Sequence, residues 1–139
     1  MKDGDKDDYL LLQEYEERYV SLTYERIIEE LSRQGKNTME GYKITRLDHG
    51  LQSATRAYND GADIDWIVGT LLHDIGDGLA PQNHDRFSAE VIRPYVREEV
   101  TWIISMHGLF QMFYFGPKEY MGNEIGIDKS LRERYPLCH

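Results

Sequence analysis

The stretch that decides the fold is Leu71-Leu72-His73-Asp74-Ile75-Gly76, in which an imidazole and a carboxylate stand side by side. It continues the almost wholly apolar segment Trp66-Ile67-Val68-Gly69-Thr70, and this predicts a buried helix that leads into the two polar groups. A carboxylate at the end of a buried helix needs a metal ion or an arginine as its partner. Imidazole and carboxylate are the usual donors for iron, manganese and zinc, so we favour a metal site over a buried ion pair.

Further histidines stand around this doublet, namely His49, His84 and His107. The intervals between successive histidines, with His73 counted among them, are 24, 11 and 23 residues. Each interval is long enough to hold a helix, and helical proteins build metal sites by delivering one ligand from each of several helices. A lone histidine on a helix is more often an ordinary surface or core residue. The set as a whole, together with Asp74, predicts one metal site.

The composition indicates one soluble domain from a reducing compartment. Of the 139 residues 40% are hydrophobic, and no apolar run approaches the ~20 residues that would cross a bilayer. The charged N-terminus lacks the apolar stretch of a signal peptide, which predicts a cytoplasmic location. The single cysteine, Cys138, cannot form an internal disulfide. The net charge of −9 argues against nucleic acid as a partner and gives no reason to expect binding to an anionic membrane.

The hydrophobic spacing predicts an all-α fold, because no strand-like alternation appears. We expect a disordered acidic tail at residues 1–8 and a single helical domain over residues 9–139, whose tyrosine-rich first helix could pair with another copy. Helices are expected over about residues 9–33, 44–59, 66–74 and 84–93, followed by one that starts at Pro94, carries His107 and is interrupted at Gly108. Asp63 or Asp65 is placed to cap the third of these helices.

The chain carries His49, the His73-Asp74 doublet, His84 and His107 in this order, between short helices. This pattern resembles the HD-domain superfamily of metal-dependent enzymes. The resemblance covers about residues 38–115. The segments Leu47-Asp48-His49-Gly50-Leu51-Gln52-Ser53-Ala54 and Asn83-His84-Asp85 are most similar to the HD-domain oxygenases, which include myo-inositol oxygenase and the enzymes that oxidatively cleave aminophosphonates.

This resemblance implies a compact helical bundle with a dinuclear iron site in its core. His49 and His73 would bind one ion, Asp74 would bridge, and His84 and His107 would bind the other. The implied cofactor is a pair of irons, Fe2+ and Fe3+, that acts on a small-molecule substrate with O2. Manganese and zinc also suit these donors.

Several positions depart from the family pattern. The family's last ligand is an aspartate on a later helix, and Asp128 is the candidate for it, although capping of a short helix explains Asp128 at least as well. We therefore expect the chain to be incomplete at its C-terminus. Asp77 occupies a position at which relatives commonly carry Lys or His. Gln111 occupies a position at which the phosphonate-cleaving enzymes carry Lys, and Tyr42 one at which those enzymes carry Glu. These three residues and Asp74 are our candidate catalytic residues, and they favour a neutral or cationic substrate.

Three functions stay open on this reasoning. The leading hypothesis is an oxygenase with two irons that acts on a small hydroxylated or amine-bearing molecule. In hydrolytic HD relatives the same ligands would activate water against a phosphoester, and the basic residues available for such a substrate are Arg46, Arg86, Arg93 and Lys118. The third possibility is a domain that binds metal and ligand without catalysis.

Overall fold

The computed structural model of the chain describes residues 4–36, 38 and 40–115, and residues 112–115 by their backbone alone. Within these ranges the chain forms six helices and no strand, which confirms the all-α prediction. The helices are α1 (Lys6–Ser21), α2 (Thr23–Gln34), α3 (Arg46–Asn59), α4 (Ile64–Leu72), α5 (His84–Ile92) and α6 (Glu98–Phe115). No helix in the described part of the chain combines the length and the apolar character that a membrane span needs.

The chain divides into two units, residues 1–49 and residues 50–139, and the boundary falls inside α3. The first unit contains α1, α2 and the first turn of α3, and the second contains the rest of α3 with α4, α5 and α6. The single domain expected over residues 9–139 stays a prediction, since residues 116–139 lie outside the described part.

In the first unit, α1 begins earlier than the sequence predicted. The Asp5 carboxylate accepts hydrogen bonds from the backbone N–H groups of Asp7 and Asp8 at 2.9 and 3.0 Å. The Asp8 carboxylate in turn accepts from the Asp5 N–H at 3.1 Å. This reciprocal capping satisfies backbone donors that the first turn of a helix would otherwise leave without partners. The tail predicted over residues 1–8 is therefore wrong at residues 6–8, which belong to α1, while residues 1–3 lie outside the described part.

In the second unit, α5 packs along α6 and α4 lies against both helices. The buried apolar side chains between them are Leu72, Ile75, Ala89, Ile92, Val100 and Ile104. Helices α4 and α6 approach most closely at Gly69, where a Cβ atom would lie 2.6 Å from Val100 Cγ1. Carbon atoms in contact prefer a separation of about 3.5–4.0 Å, so this approach requires glycine. The small residue therefore lets α4 end deep in the core.

Polar contacts at the surface of the second unit fix the start of α4. The Asp63 carboxylate caps the helix, as the sequence predicted, by accepting from the Trp66 N–H at 3.2 Å. Asp63 also pairs with the Arg97 guanidinium at 2.8 Å, just before α6 begins. The predicted interruption at Gly108 is wrong, because α6 runs unbroken from Glu98 to Phe115.

Candidate metal centre

Most of the predicted ligands come together where the helices of the second unit meet. His73 is the C-cap residue of α4 and Asp74 follows it, while His84 is the first residue of α5 and His107 lies within α6. The His73 and Asp74 residues are each only 8% exposed. Their burial follows from the sequence, because the apolar neighbours Leu72 and Ile75 on either side of the doublet both enter the core.

Three ligand atoms form a nearly equilateral triangle. Asp74 Oδ1 lies 3.2 Å from His84 Nε2 and 3.3 Å from His107 Nε2. The two Nε2 atoms are 3.2 Å apart. Donor atoms that bind one ion at ~2.1 Å, with angles between the tetrahedral and octahedral values, lie roughly 3.0–3.4 Å from each other. The triangle therefore has the size that a single metal ion requires, and these residues are a group that could hold one.

The second oxygen of Asp74 faces a different imidazole. Asp74 Oδ2, the oxygen that is not part of the triangle, lies 3.5 Å from His73 Nε2. The His73 ring also meets the His107 ring edge to face, with centroids 5.1 Å apart. Each oxygen of one carboxylate thus has its own histidine partners, which is the orientation that a bridging carboxylate adopts between two ions.

Backbone carbonyls determine that Nδ1 carries a proton in each of the three imidazole rings. In each ring Nδ1 lies within hydrogen-bond distance of the carbonyl oxygen three residues earlier, and the pairs are His73 with Thr70 (2.7 Å), His84 with Pro81 (3.1 Å) and His107 with Ile104 (2.7 Å). A carbonyl oxygen can only accept, so Nδ1 carries the proton and donates it. Nε2 of each ring is then directed at the Asp74 carboxylate, and a cation bound among these atoms would stabilise the arrangement.

The charges around His107 also favour a cation at this site. Burial lowers the pKa of His107, but the hydrogen bond with Asp74 and the backbone bond to Ile104, helped by the charges of Asp74 and Asp85, together raise that pKa above its ordinary value. The Asp74 carboxylate thus favours positive charge beside His107, and a bound metal ion would supply that charge to a neutral imidazole.

Ser88 is a supporting residue that sequence reasoning missed. Its side chain is fully buried on α5, and its Oγ accepts a hydrogen bond from the Gly76 N–H at 3.1 Å. Gly76 follows Asp74 by two residues, and Ser88 lies one turn after His84. The bond thus ties the turn that carries one ligand to the helix that carries another. A hydroxyl on the otherwise apolar inner face of α5 was the signal available in the sequence.

Besides Asp74, two of the predicted catalytic residues lie in the second unit. Asp77 is 8% exposed, and its Oδ1 lies 3.8 Å from His84 Nδ1. Asp77 is therefore close to a ligand, on the side of the ring that faces away from Asp74. Gln111 follows His107 by one turn of α6 and is exposed.

Two further predicted site residues, His49 and Tyr42, lie in the first unit. His49 is half-buried in the first turn of α3, which begins with hydrogen bonds in both directions between Thr45 and Asp48. Tyr42 is 54% exposed, and the Arg46 guanidinium lies over its ring at 4.9 Å. Asp128 falls outside the described residues. The roles of all three therefore stay predictions.

Two arginines of the second unit, Arg93 and Arg97, pair with carboxylates at the surface. Arg93 donates to Glu90 at 2.7 Å and pairs with Glu98 at 3.0 Å. Arg97 pairs with Asp63 at 2.8 Å. Arg86 is exposed. Because the Arg93 and Arg97 guanidiniums already neutralise surface carboxylates, they give little support to the phosphohydrolase alternative.

Comparison with known proteins gives one informative similarity. No family model matches the chain, and no solved structure matches it. Over 86 residues the chain is 31% identical to the [1-hydroxy-2-(trimethylamino)ethyl]phosphonate dioxygenase (glycine-betaine-forming) of Leisingera caerulea, a match that covers 54% of this chain. It spans 44% of that protein, which is less than half its length. A distant relative of the chain is thus a dioxygenase, which supports an enzymatic role.

Proposed function

We propose that the chain is an HD-domain metalloenzyme, an oxygenase with two irons that oxidises a small hydroxylated or amine-bearing molecule. The observation that carries the proposal is the orientation of Asp74, whose Oδ1 faces His84 and His107 while its Oδ2 faces His73. One carboxylate between two sets of imidazoles suits a pair of ions better than a single ion. The similarity to a dioxygenase favours oxygen chemistry over hydrolysis.

In this proposal His49 is the second histidine of the ion that His73 binds. Support comes from the packing of the next residue, Gly50, within the second unit. A Cβ atom at Gly50 would lie 2.6 Å from the carbonyl oxygen of Leu71, so α3 approaches the backbone of α4 closely at this point. Leu71 precedes His73 by two residues, and His49 precedes Gly50 in the same helix. Asp128 stays the candidate for a further ligand.

The protein's own residues prepare the site for this chemistry. When bound, a pair of irons supplies the electrons and the open coordination positions that reaction with O2 needs. Asp74 supplies the negative charge between the ions. The Nδ1–H bonds to backbone carbonyls hold three imidazoles with Nε2 inward. The buried side chains of Leu72 and Ile75 exclude water from the core side of Asp74.

The charge around the site favours a substrate that carries an amine. Asp74, Asp77 and Asp85 lie close to His84 or His107, and residues 73–85 include neither lysine nor arginine. A substrate cation would be attracted to such a segment, whereas an anionic group would need a positive partner. The trimethylamino group in the name of the dioxygenase from Leisingera caerulea agrees with this preference.

The proposed function is tested by oxygen uptake. The full chain, loaded with iron and given a reductant, would be offered amino alcohols with and without trimethylation or a phosphonate group. We expect oxygen consumption that requires both iron and substrate and is abolished by His107→Ala. Protein that holds two irons yet consumes no oxygen with any member of this panel would contradict the oxygenase assignment, and release of phosphate from an aryl phosphate would favour the hydrolase instead.

A further inference from the structure

His84 is held less firmly than the other two imidazoles of the centre. Its Nδ1 contact with the Pro81 carbonyl is 3.1 Å, against 2.7 Å for each of the corresponding contacts of His73 and His107. Its side chain is also 24% exposed, compared with 10% for His73 and 12% for His107. The carbonyl that it uses comes from the loop before α5, whereas the Thr70 and Ile104 carbonyls belong to helices.

A second group faces the same nitrogen. Asp77 Oδ1 lies 3.8 Å from His84 Nδ1, and only 8% of the side-chain surface of Asp77 is exposed to solvent. The Asp77 N–H donates to the Asp74 carbonyl at 3.0 Å, so one short turn carries both the central carboxylate and Asp77. The His84 ring therefore lies between two carboxylates, with Asp74 at Nε2 and Asp77 near Nδ1.

We propose that Asp77 is a positioning residue: its carboxylate lies beside the Nδ1–H that His84 donates to the Pro81 carbonyl, and its charge helps to keep Nε2 directed at the ion bound by Asp74, His84 and His107. Binding of an ion at Nε2 draws electron density from the ring and makes the Nδ1–H more positive. A carboxylate beside that N–H stabilises the bound state and makes the imidazole a stronger donor. This inference rests on the proposed function, because it assigns Asp77 to the same metal site.

The test is Co2+ binding to the full chain and to its Asp77→Asn and Asp77→Ala variants. Affinity is measured by competition with a chelator, and the ligand arrangement is followed by the visible absorption of bound Co2+. We expect Asp77→Ala to bind about 10- to 100-fold more weakly and to shift the Co2+ spectrum, since loss of a carboxylate behind a ligating histidine typically has an effect of this size. Asp77→Asn keeps the size of the side chain but removes its charge, so its affinity for Co2+ should also fall.

Asp60→Asn is the matched control, because it removes an exposed aspartate of the second unit and should leave Co2+ binding unchanged. Thermal unfolding without metal separates positioning from a merely structural role. If both Asp77 variants bind Co2+ with wild-type affinity and spectrum, the inference is wrong while the proposed function stands. The inference is also wrong if the Co2+ spectrum is unchanged and the loss of Co2+ affinity is fully explained by a smaller folded fraction of each variant. A wild-type chain that binds no Co2+ would overturn the proposed metal site itself.

Discussion

Replacing Ser88 by alanine removes the buried bond that holds the Asp74 turn against α5. The Ser88 hydroxyl accepts from the Gly76 N–H at 3.1 Å, and its side chain is fully buried. Alanine would leave a buried donor without its acceptor, at a cost of about 1–3 kcal/mol in the free energy of unfolding. For a chain of this size, 1 kcal/mol corresponds to roughly 3–4 °C in Tm, so we expect Tm to fall by roughly 3–12 °C.

The assay is thermal unfolding of the full chain by circular dichroism, with Ser105→Ala as the matched control. The Ser105 hydroxyl donates to the Trp102 carbonyl at 2.6 Å, a bond within one turn of α6. Such a bond inside a helix adds little stability, and alanine is the better helix former, so we expect a change within about 0.5 kcal/mol.

A second measurement connects the same bond to the site. The ligand triangle has sides of 3.2–3.3 Å, so a small displacement of Asp74 would spoil its fit to an ion. We therefore expect Ser88→Ala to weaken Co2+ binding several-fold and Ser105→Ala to leave it unchanged. If the two variants unfold at the same temperature and bind Co2+ equally, the Ser88 bond does not hold the turn and the reasoning is refuted.

Two further predictions concern the scaffold. Gly69→Ala places a methyl group against Val100 and should cost about 1–3 kcal/mol in urea unfolding, as overpacking typically does, and an unchanged stability would show that α4 and α6 can separate at this point. The hydrogen bond from Arg97 lowers the pKa of Asp63 against the opposing effect of desolvation, so this carboxylate stabilises the fold at neutral pH and loses that contribution as the pH falls through its lowered pKa. Asp63→Asn should therefore flatten the dependence of stability on pH in the acid range, and parallel curves for the two proteins would contradict this.

The burial of His73 and Asp74 could be predicted from the sequence because its signal is local. The apolar run before His73 and Asp74 requires that the doublet enter the core, and the structure buries both residues. The Asp63 cap was predicted for a similar reason, since a carboxylate directly before an apolar helix has few other uses.

The supporting contacts could not be predicted from the sequence, because they join residues from different elements. Nothing near Ser88 in the sequence identifies Gly76 as its donor, since the turn before α5 separates the two residues. The same holds for Asp77, whose place near His84 depends on how the intervening loop folds. Gly108 was expected to interrupt its helix on propensity alone, but tertiary packing of α6 against α5 outweighs the cost of about 1 kcal/mol of a helical glycine.

The most direct test of the account is the metal content of the full chain purified without added metal, measured by elemental analysis beside the His73→Ala and Asp74→Ala variants. The account predicts close to two irons per chain, with both variants depleted, because in the proposed site Asp74 would bind both ions and His73 would bind one of them. Protein that contains no metal, or variants that keep as much metal as the wild-type chain, would contradict it.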